Sequence, residues 1–165
     1  MPSISLCMIV KNEGAVLPRA LAYWRELADE LIIVDTGSTD ATVRIAEDHG
    51  AQVLHYAWEY PGNKGAARNV GVEAASGDWI IVLDADEVIR TDGAAMRAFL
   101  RDTHLTALQV LFENYPEGAL TLRWYQVRVF RRGMYLYIHR EHEMPHWCGE
   151  GEEMQGTVPG IIFEH

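Results

Sequence analysis

Two cysteines, two lysines and no long apolar run set the first limits on this chain. Cys7 sits inside an apolar, strand-like stretch, so a disulfide framework with Cys148 is not expected. The N-terminus lacks the basic start and unbroken apolar stretch of a signal peptide. No segment approaches the roughly 20 apolar residues of a membrane span. A reducing, cytoplasmic setting is the expectation, with peripheral membrane contact left open. Positive charge is the scarce sign: 14 basic residues face 24 acidic ones, for a net charge of −10. That balance argues against a nucleic-acid partner, because a phosphate backbone attracts basic surfaces. What remains is ordinary for one globular domain: 165 residues, 48% of them apolar.

The most informative stretch is Trp79-Ile80-Ile81-Val82-Leu83-Asp84-Ala85-Asp86-Glu87. Five apolar residues bounded by a Ser76-Gly77-Asp78 turn read as a strand buried on both faces. The acids then emerge at the carboxyl end of the strand, where open α/β sheets bind ligands. Asp84 and Asp86 are two residues apart and project the same way from an extended backbone. Paired carboxylates suit a hard divalent cation, Mn²⁺ or Mg²⁺, which commonly also holds phosphates.

The chain around that strand alternates. Strands are expected at Ile4–Val10, Leu31–Val34 and Gln52–His55. Helices are expected over 15–28, around Val43, Ile45 and Ala46, over Lys64–Ala75 and over 94–101. Pro18 fits only a first helical turn. Ser38, Thr39 or Asp40 could cap the second helix, and Gly50 would end it. This β-α order predicts a Rossmann-like, mostly parallel sheet with helices on both faces. Residues 107–115 and 120–130, joined by Pro116–Ala119, read as a C-terminal antiparallel strand pair. In it Leu122, Val127 and Val129 face inward, and Arg123, Gln126 and Arg128 face solvent.

Three loops follow parallel strands and converge on one edge: Lys11–Gly14, Asp35–Asp40 and Asp84–Val88. Asn12 and Glu13 suit a ribose, Asp35 a base imide or ribose hydroxyl, and Gly37 a close backbone approach. Asp40 fits a structural role better than a ligand role. Lys64 and Arg68, four apart on one helix face, suit a diphosphate or, equally, a surface salt-bridge face.

Four segments carry a resemblance. Ile4–Glu13, Ile32–Asp40, Ala66-Ala-Arg-Asn69 and Gly77–Glu87 together resemble the family 2 glycosyltransferases, nearest to a bacterial subgroup with a Lys-Asn-Glu first loop. The resemblance implies a GT-A fold and an enzyme that moves a sugar, with inversion, from a nucleotide diphosphate sugar, a UDP-sugar first among donors, to an undefined acceptor. It implies a nucleoside pocket around Ile9, Val10, Asn12, Glu13 and Asp35, continued by Lys64, Arg68, Asp84, Ala85 and Asp86. Many members have Asp-Asp where this chain has Asp35-Thr36, which weakens any inference about the base. Asp86 would bind the metal and Asp84 would contact ribose or metal-bound water. Residues 1–93 would form the nucleotide-sugar half and 94–165 the acceptor half, short enough to be a truncated one. A late histidine often joins such metal sites, and His165 would be that residue.

Inversion needs a base on the acceptor side, for which Glu143, then Glu141 and His142, are the candidates. A zinc site built from His139, His142, His146 and Cys148 competes for the same region, though its spacing is irregular. Leu83–Val88 also fits the nucleophile loop of a haloacid dehalogenase-type phosphatase. That chemistry wants a later Lys and a late acidic pair, whereas no Lys follows Lys64 and no Asp follows Asp102. A nucleotidyltransferase would show a Gly-rich basic first loop. A non-catalytic nucleotide-sugar-binding module is the remaining alternative.

Overall fold

The computed structural model describes residues 1–58, 63–114, 122–138 and 144–164. Among them the elements run β1 (Ile4–Val10), α1 (Leu17–Trp24), β2 (Glu30–Asp35), α2 (Thr42–Asp48), β3 (Gln52–His55), α3 (Lys64–Ala74), β4 (Trp79–Leu83), β5 (Val88–Arg90), α4 (Gly93–Asp102), β6 (Ala107–Asn114), β7 (Leu122–Arg131), β8 (Tyr135–Tyr137), β9 (Pro145–Trp147) and β10 (Gln155–Glu164). Eight described strands form one sheet in the order β3-β2-β1-β4-β7-β6-β10-β5, and β8 pairs with β9 separately. The first four of these strands are parallel, and β7 then runs antiparallel to both β4 and β6. The chain steps outward from β1 through β2 to β3 and then crosses back to β4 on the other side of β1. The carboxyl ends of β1, β2 and β4 therefore share one edge.

Burial explains why the central strands are continuously apolar. Trp79 to Leu83 is fully enclosed, as are Ile32 and Ile33. On one face Leu17, Leu21 and Trp24 of α1, Ala46 of α2 and Met96 and Leu100 of α4 pack on Ile4, Leu6, Met8, Ile81 and Leu83. On the other, Val72 of α3 and the β8 tyrosines pack on Cys7, Ile32, Ile80 and Val82. Each fully buried aliphatic side chain contributes roughly 1.5–3 kcal/mol. Helices lie on both faces, as the β-α order requires.

Several details differ from the sequence reading. The first helix is shorter than 15–28. It tapers after Trp24 into a turn in which Leu27 and Ala28 both donate to the Trp24 carbonyl. No Ser or Thr side chain caps α2, but the Asp40 carboxylate accepts the Thr42 N–H at 2.9 Å. Strands β5, β8, β9 and β10 were not expected. The turn predicted at Arg90–Gly93 supplies instead the end of β5 and Asp92, which caps α4 through the N–H groups of Ala94 and Ala95. In β7 the expected alternation fails at two points. Leu122 is exposed and Arg128 is buried. No described helix is long and apolar enough to cross a membrane.

Candidate active site

Loops one and two are stitched together before they can face a ligand. Asn12 adopts φ +58°, and its N–H donates to Ser38 Oγ at 2.9 Å. Its Oδ1 accepts the Thr39 N–H at 2.8 Å. The Gly14 N–H reaches Asp40 Oδ2 at 3.1 Å, which confirms a structural duty for Asp40. Asp35, 4% exposed, folds back on its own loop and accepts from the N–H groups of Gly37 and Ser38. Gly37 takes φ +103°, a left-handed turn that side-chain-bearing residues resist. Thr36 closes the seam by donating both its N–H and its Oγ1 to the Val10 carbonyl.

The third loop rests on a buried ionic network. Arg68, from the sheet-facing side of α3, donates from Nη2 to Asp84 Oδ1 at 2.8 Å. Arg128 of β7 donates from Nη2 to Glu87 Oε1 at 3.1 Å and lies 3.8 Å from Asp84 Oδ2. Glu87 Oε2 in turn accepts the Asp84 N–H at 2.9 Å, which closes the Asp84–Glu87 turn. Burial would raise the Asp84 pKa, but Arg68 and Arg128 together hold it below the usual carboxylate range. Burial pushes the Glu87 pKa up, and Arg128 offsets that only in part. Asn69, the next residue after Arg68, exchanges two hydrogen bonds with the Tyr137 backbone and so pins β8 to α3.

Above this network lies an open cavity of about 370 Å³. Ile9, Val10, Lys11, Glu13, Thr36, Trp58, Lys64, Asp84, Ala85 and Asp86 line it. Asp86 is exposed at its mouth, whereas Ala85 is buried beneath. Glu13 has a raised pKa, through burial first and then the negative charges of Asp86, Asp40 and Asp84. Neighbouring carboxylates that raise the affinity of Glu13 for a proton mark a region of negative potential that a bound cation relieves. Among the described residues no group of three or more His, Cys, Asp or Glu side chains converges as a ready-made metal cage. Asp84 and Asp86 supply hard oxygen donors of the kind that suit a divalent ion sharing its coordination with phosphates and water.

Residues 5–149 match the family described as Glycosyl transferase family 2. The chain belongs to that family. A relative, an uncharacterized glycosyltransferase of Rickettsia felis, is 44% identical over 88% of this chain and 44% of its own length. A TPR repeat-containing protein of Synechococcus elongatus is 44% identical over 72% of this chain and 29% of its own. The chain thus spans less than half the length of these relatives. Among solved structures, S. aureus TarS superposes with a TM-score of 0.60 at 21% identity, covering 73% of this chain and 38% of that one. The glucosyl-3-phosphoglycerate synthase of Mycobacterium tuberculosis, crystallised with Mn²⁺, UDP and glucosyl-3-phosphoglycerate, superposes at 0.55 with 24% identity over 67% of this chain and 44% of its own. These neighbours establish the GT-A fold.

For a family 2 domain the sequence reading located most of the cavity. Ile9, Val10, Glu13, Lys64, Asp84, Ala85 and Asp86 share one wall system. Asn12, Asp35 and Arg68 do not line it. Asn12 joins loops one and two, and Asp35 holds the turn of its own loop. Arg68 is 4% exposed and pairs with Asp84, so it does not share an exposed salt-bridge face with Lys64. Lys11, Thr36 and Trp58 line the cavity and were not singled out. Trp58 carried a signal, an aromatic residue in the loop after β3. Glu141, His142, Glu143 and His165 lie outside the described residues, as do His139 and the Pro116–Ala119 joint. His146 lies in β9 and Cys148 just after it.

Proposed function

We propose that this domain binds a nucleotide diphosphate sugar, UDP-linked in the first instance, in the cavity above Asp84–Asp86, and transfers the sugar with inversion to a separate acceptor. The observation that carries the proposal is the cavity wall itself. An exposed Asp86 and an Asp84 held by two arginines line it together with Glu13 and Lys64. A divalent cation, Mn²⁺ or Mg²⁺, would be held by Asp86 and served from beneath by Asp84, with His165 as a further candidate ligand. When bound, it neutralises charge on the departing diphosphate. Lys64 adds a positive charge to the same wall. Ile9, Val10 and Thr36 form the floor for the nucleoside, and the Mn²⁺–UDP complex of the M. tuberculosis synthase is a precedent for that ligand pair on this fold.

The acceptor side is assigned to residues 94–165 of the single domain, and the donor side to 1–93. Strand β8 ends beside the site: the Arg68 guanidinium lies 5.8 Å from the centroid of the Tyr137 ring, and the same guanidinium holds Asp84. The segment that follows carries Glu141, His142 and Glu143. One of these takes the proton from the acceptor hydroxyl as its oxygen attacks the anomeric carbon on the face opposite the departing diphosphate. Glu143 is the first candidate.

Calorimetric titration of UDP with and without Mn²⁺ tests the donor half of the proposal. Asp86→Ala is expected to abolish the Mn²⁺-dependent gain in affinity while the fold persists. Unchanged Mn²⁺-dependent affinity in that variant refutes the assignment. Glu143→Gln is expected to keep donor binding and lose transfer. Full transfer by that variant moves the base elsewhere.

A further inference from the structure

A buried arginine is an expensive way to hold a strand in place, and β7 contains one at an irregular point. Leu108 of β6 pairs with Val129, but the next residue, Gln109, pairs with Val127. Arg128 is the extra residue of a β-bulge. Bulges re-aim a side chain and are frequent beside active sites. Here the bulge shifts the alternation of the strand, so that Val129 packs on one face of the sheet and Val127 on the other. Arg128, which an unbroken alternation would send to solvent, is 7% exposed.

Its surroundings are directional. The guanidinium stacks over the Phe112 ring at 5.0 Å, and Trp124 backs that ring at 5.1 Å with the planes 14° apart. Nη1 points to the Val82 carbonyl at 3.5 Å, near the end of β4. Nη2 reaches Glu87 and lies near Asp84, the two residues that bracket Ala85 and Asp86. Nε finds no acceptor among the described residues. Buried ion pairs are weak sources of stability, because desolvation offsets their attraction.

We infer that Arg128 is a positioning residue for the donor site: through Glu87 and Asp84 it fixes the turn that presents Asp86 to the cavity, and it ties that turn to the acceptor-side strand. The inference rests on the proposed role of Asp86. It assigns Arg128 no contact with donor or acceptor. The aromatic pair Phe112–Trp124 fixes the guanidinium plane, the guanidinium fixes Glu87, and the Glu87 carboxylate fixes the Asp84 N–H. Loss of the guanidinium leaves Glu87 buried without its cation, so the turn relaxes and Asp86 loses its fixed direction.

The test compares Arg128→Met and Arg128→Lys with the natural chain. Three quantities are read: Mn²⁺ affinity in the presence of UDP, UDP affinity without metal, and the thermal midpoint. Partners that orient metal ligands typically contribute ~10–100-fold in metal affinity. Arg128→Met is expected to weaken Mn²⁺ binding by at least about tenfold on that scale while metal-free UDP affinity stays within about twofold. Arg128→Lys keeps the charge but not the fork, and is expected to fall between the two. In Glu87→Gln/Arg128→Met the Mn²⁺ loss is expected to be no larger than in Arg128→Met alone, since both changes break one linkage. Equal weakening of UDP with and without metal, or a lowered midpoint with unchanged Mn²⁺ affinity, would make Arg128 merely structural and overturn the inference. Should Arg128→Met not fold, Arg128→Lys decides on the same criteria. Asp86→Ala run in parallel separates the two claims. If it leaves Mn²⁺ binding intact, the proposed function fails. If it abolishes Mn²⁺ binding while the Arg128 variants keep it, only the inference fails.

Discussion

The two edges of the parallel sheet are both rich in acids, and they use them in opposite ways. At the edge where strands begin, each carboxylate is fully engaged. Asp29 accepts from the Ile4 N–H and from both terminal nitrogens of Arg97. Glu30 accepts from Ser5 and Ser76, and Asp78 accepts twice from Ser3. All three have pKa values below the ordinary range, Asp29 chiefly through Arg97, Asp78 chiefly through the Ser3 backbone, and Glu30 because these hydrogen bonds outweigh its burial. At the edge where strands end, Glu13 and Glu87 are raised, Asp84 is held down by two arginines, and Asp40 is held down by its hydrogen bonds to Thr42. The first edge closes the fold. The second accumulates negative charge around a cavity, and that difference, rather than the number of acids, marks the site.

Ligand addition should give the largest separation between the edges. A ligand that binds only the folded state at 100 times its Kd adds about 2.7 kcal/mol. For a domain of this size that is a rise of roughly 5–10 °C in thermal midpoint. Mn²⁺ with UDP should produce it in the natural chain and in Asp29→Asn, and should fail to produce it in Asp86→Ala. A matching rise in Asp86→Ala would erase the distinction. Arg97→Ala should show the converse. Arg97 also donates to the Pro2 and Leu27 carbonyls, at 3.1 and 2.7 Å. Loss of such charge-assisted bonds should cost on the order of 2 kcal/mol in urea unfolding. Metal-dependent UDP affinity should be unchanged.

A smaller effect tests whether the site's loops are held by backbone shape. Asn12 is a non-glycine residue at positive φ, and its Oδ1 holds Thr39. Asn12→Gly and Asn12→Ala both lose that bond, but only Ala pays for the left-handed backbone, about 1 kcal/mol. Asn12→Ala should therefore be the less stable of the two in urea unfolding. Equal stabilities would mean that the loop relaxes to negative φ and that the stitch between loops one and two is not a fixed element.

These edges were not equally legible in the sequence. Local signals were sufficient for the parallel half: period-two and continuous apolar runs gave β1 to β4, and Gly50 marked the end of α2 as expected. The acids after β4 announced a site because carboxylates have no business at the end of a buried strand unless something engages them. What engages Asp84 was not readable, because Arg68 and Arg128 come from a helix and a strand far away in the chain. Arg128 misled for a definite reason. Alternation assumes an unbroken pleat, and a single bulge between Leu108 and Gln109 reverses it. Asp35 and Asn12 misled differently. Their residue types serve a ligand or a turn equally well, and only the hydrogen bonds to Gly37, Ser38 and Thr39 decide between the two. Strand β10 was missed because it pairs in parallel with β6 and follows no βα rhythm.

The smallest expected effect is on pH dependence, and the raised and lowered acids should pull it in opposite directions. Glu13 and Glu87 have raised pKa values in the folded protein, so folding favours their protonated forms. Their contribution is fully present below the ordinary glutamate value of about 4.3 and is lost as pH rises through the raised values. Asp29, Glu30, Asp78 and Asp84 are lowered. Their contribution is present above the ordinary carboxylate range and is lost as pH falls through the lowered values. With metal removed by chelation, the thermal midpoint should therefore rise slightly from pH 7 toward pH 5, then fall below about pH 4, where the far-edge carboxylates protonate. Solvent screening should keep the part of the rise that comes from Glu13 small, because that group is only partly buried. Glu13→Gln should flatten part of it, and so should high salt, which screens the repulsion from Asp86 and Asp40. A midpoint that falls steadily from pH 7 to pH 5 would show that the acids around the cavity do not repel one another, and the contrast between the edges would lose its electrostatic basis.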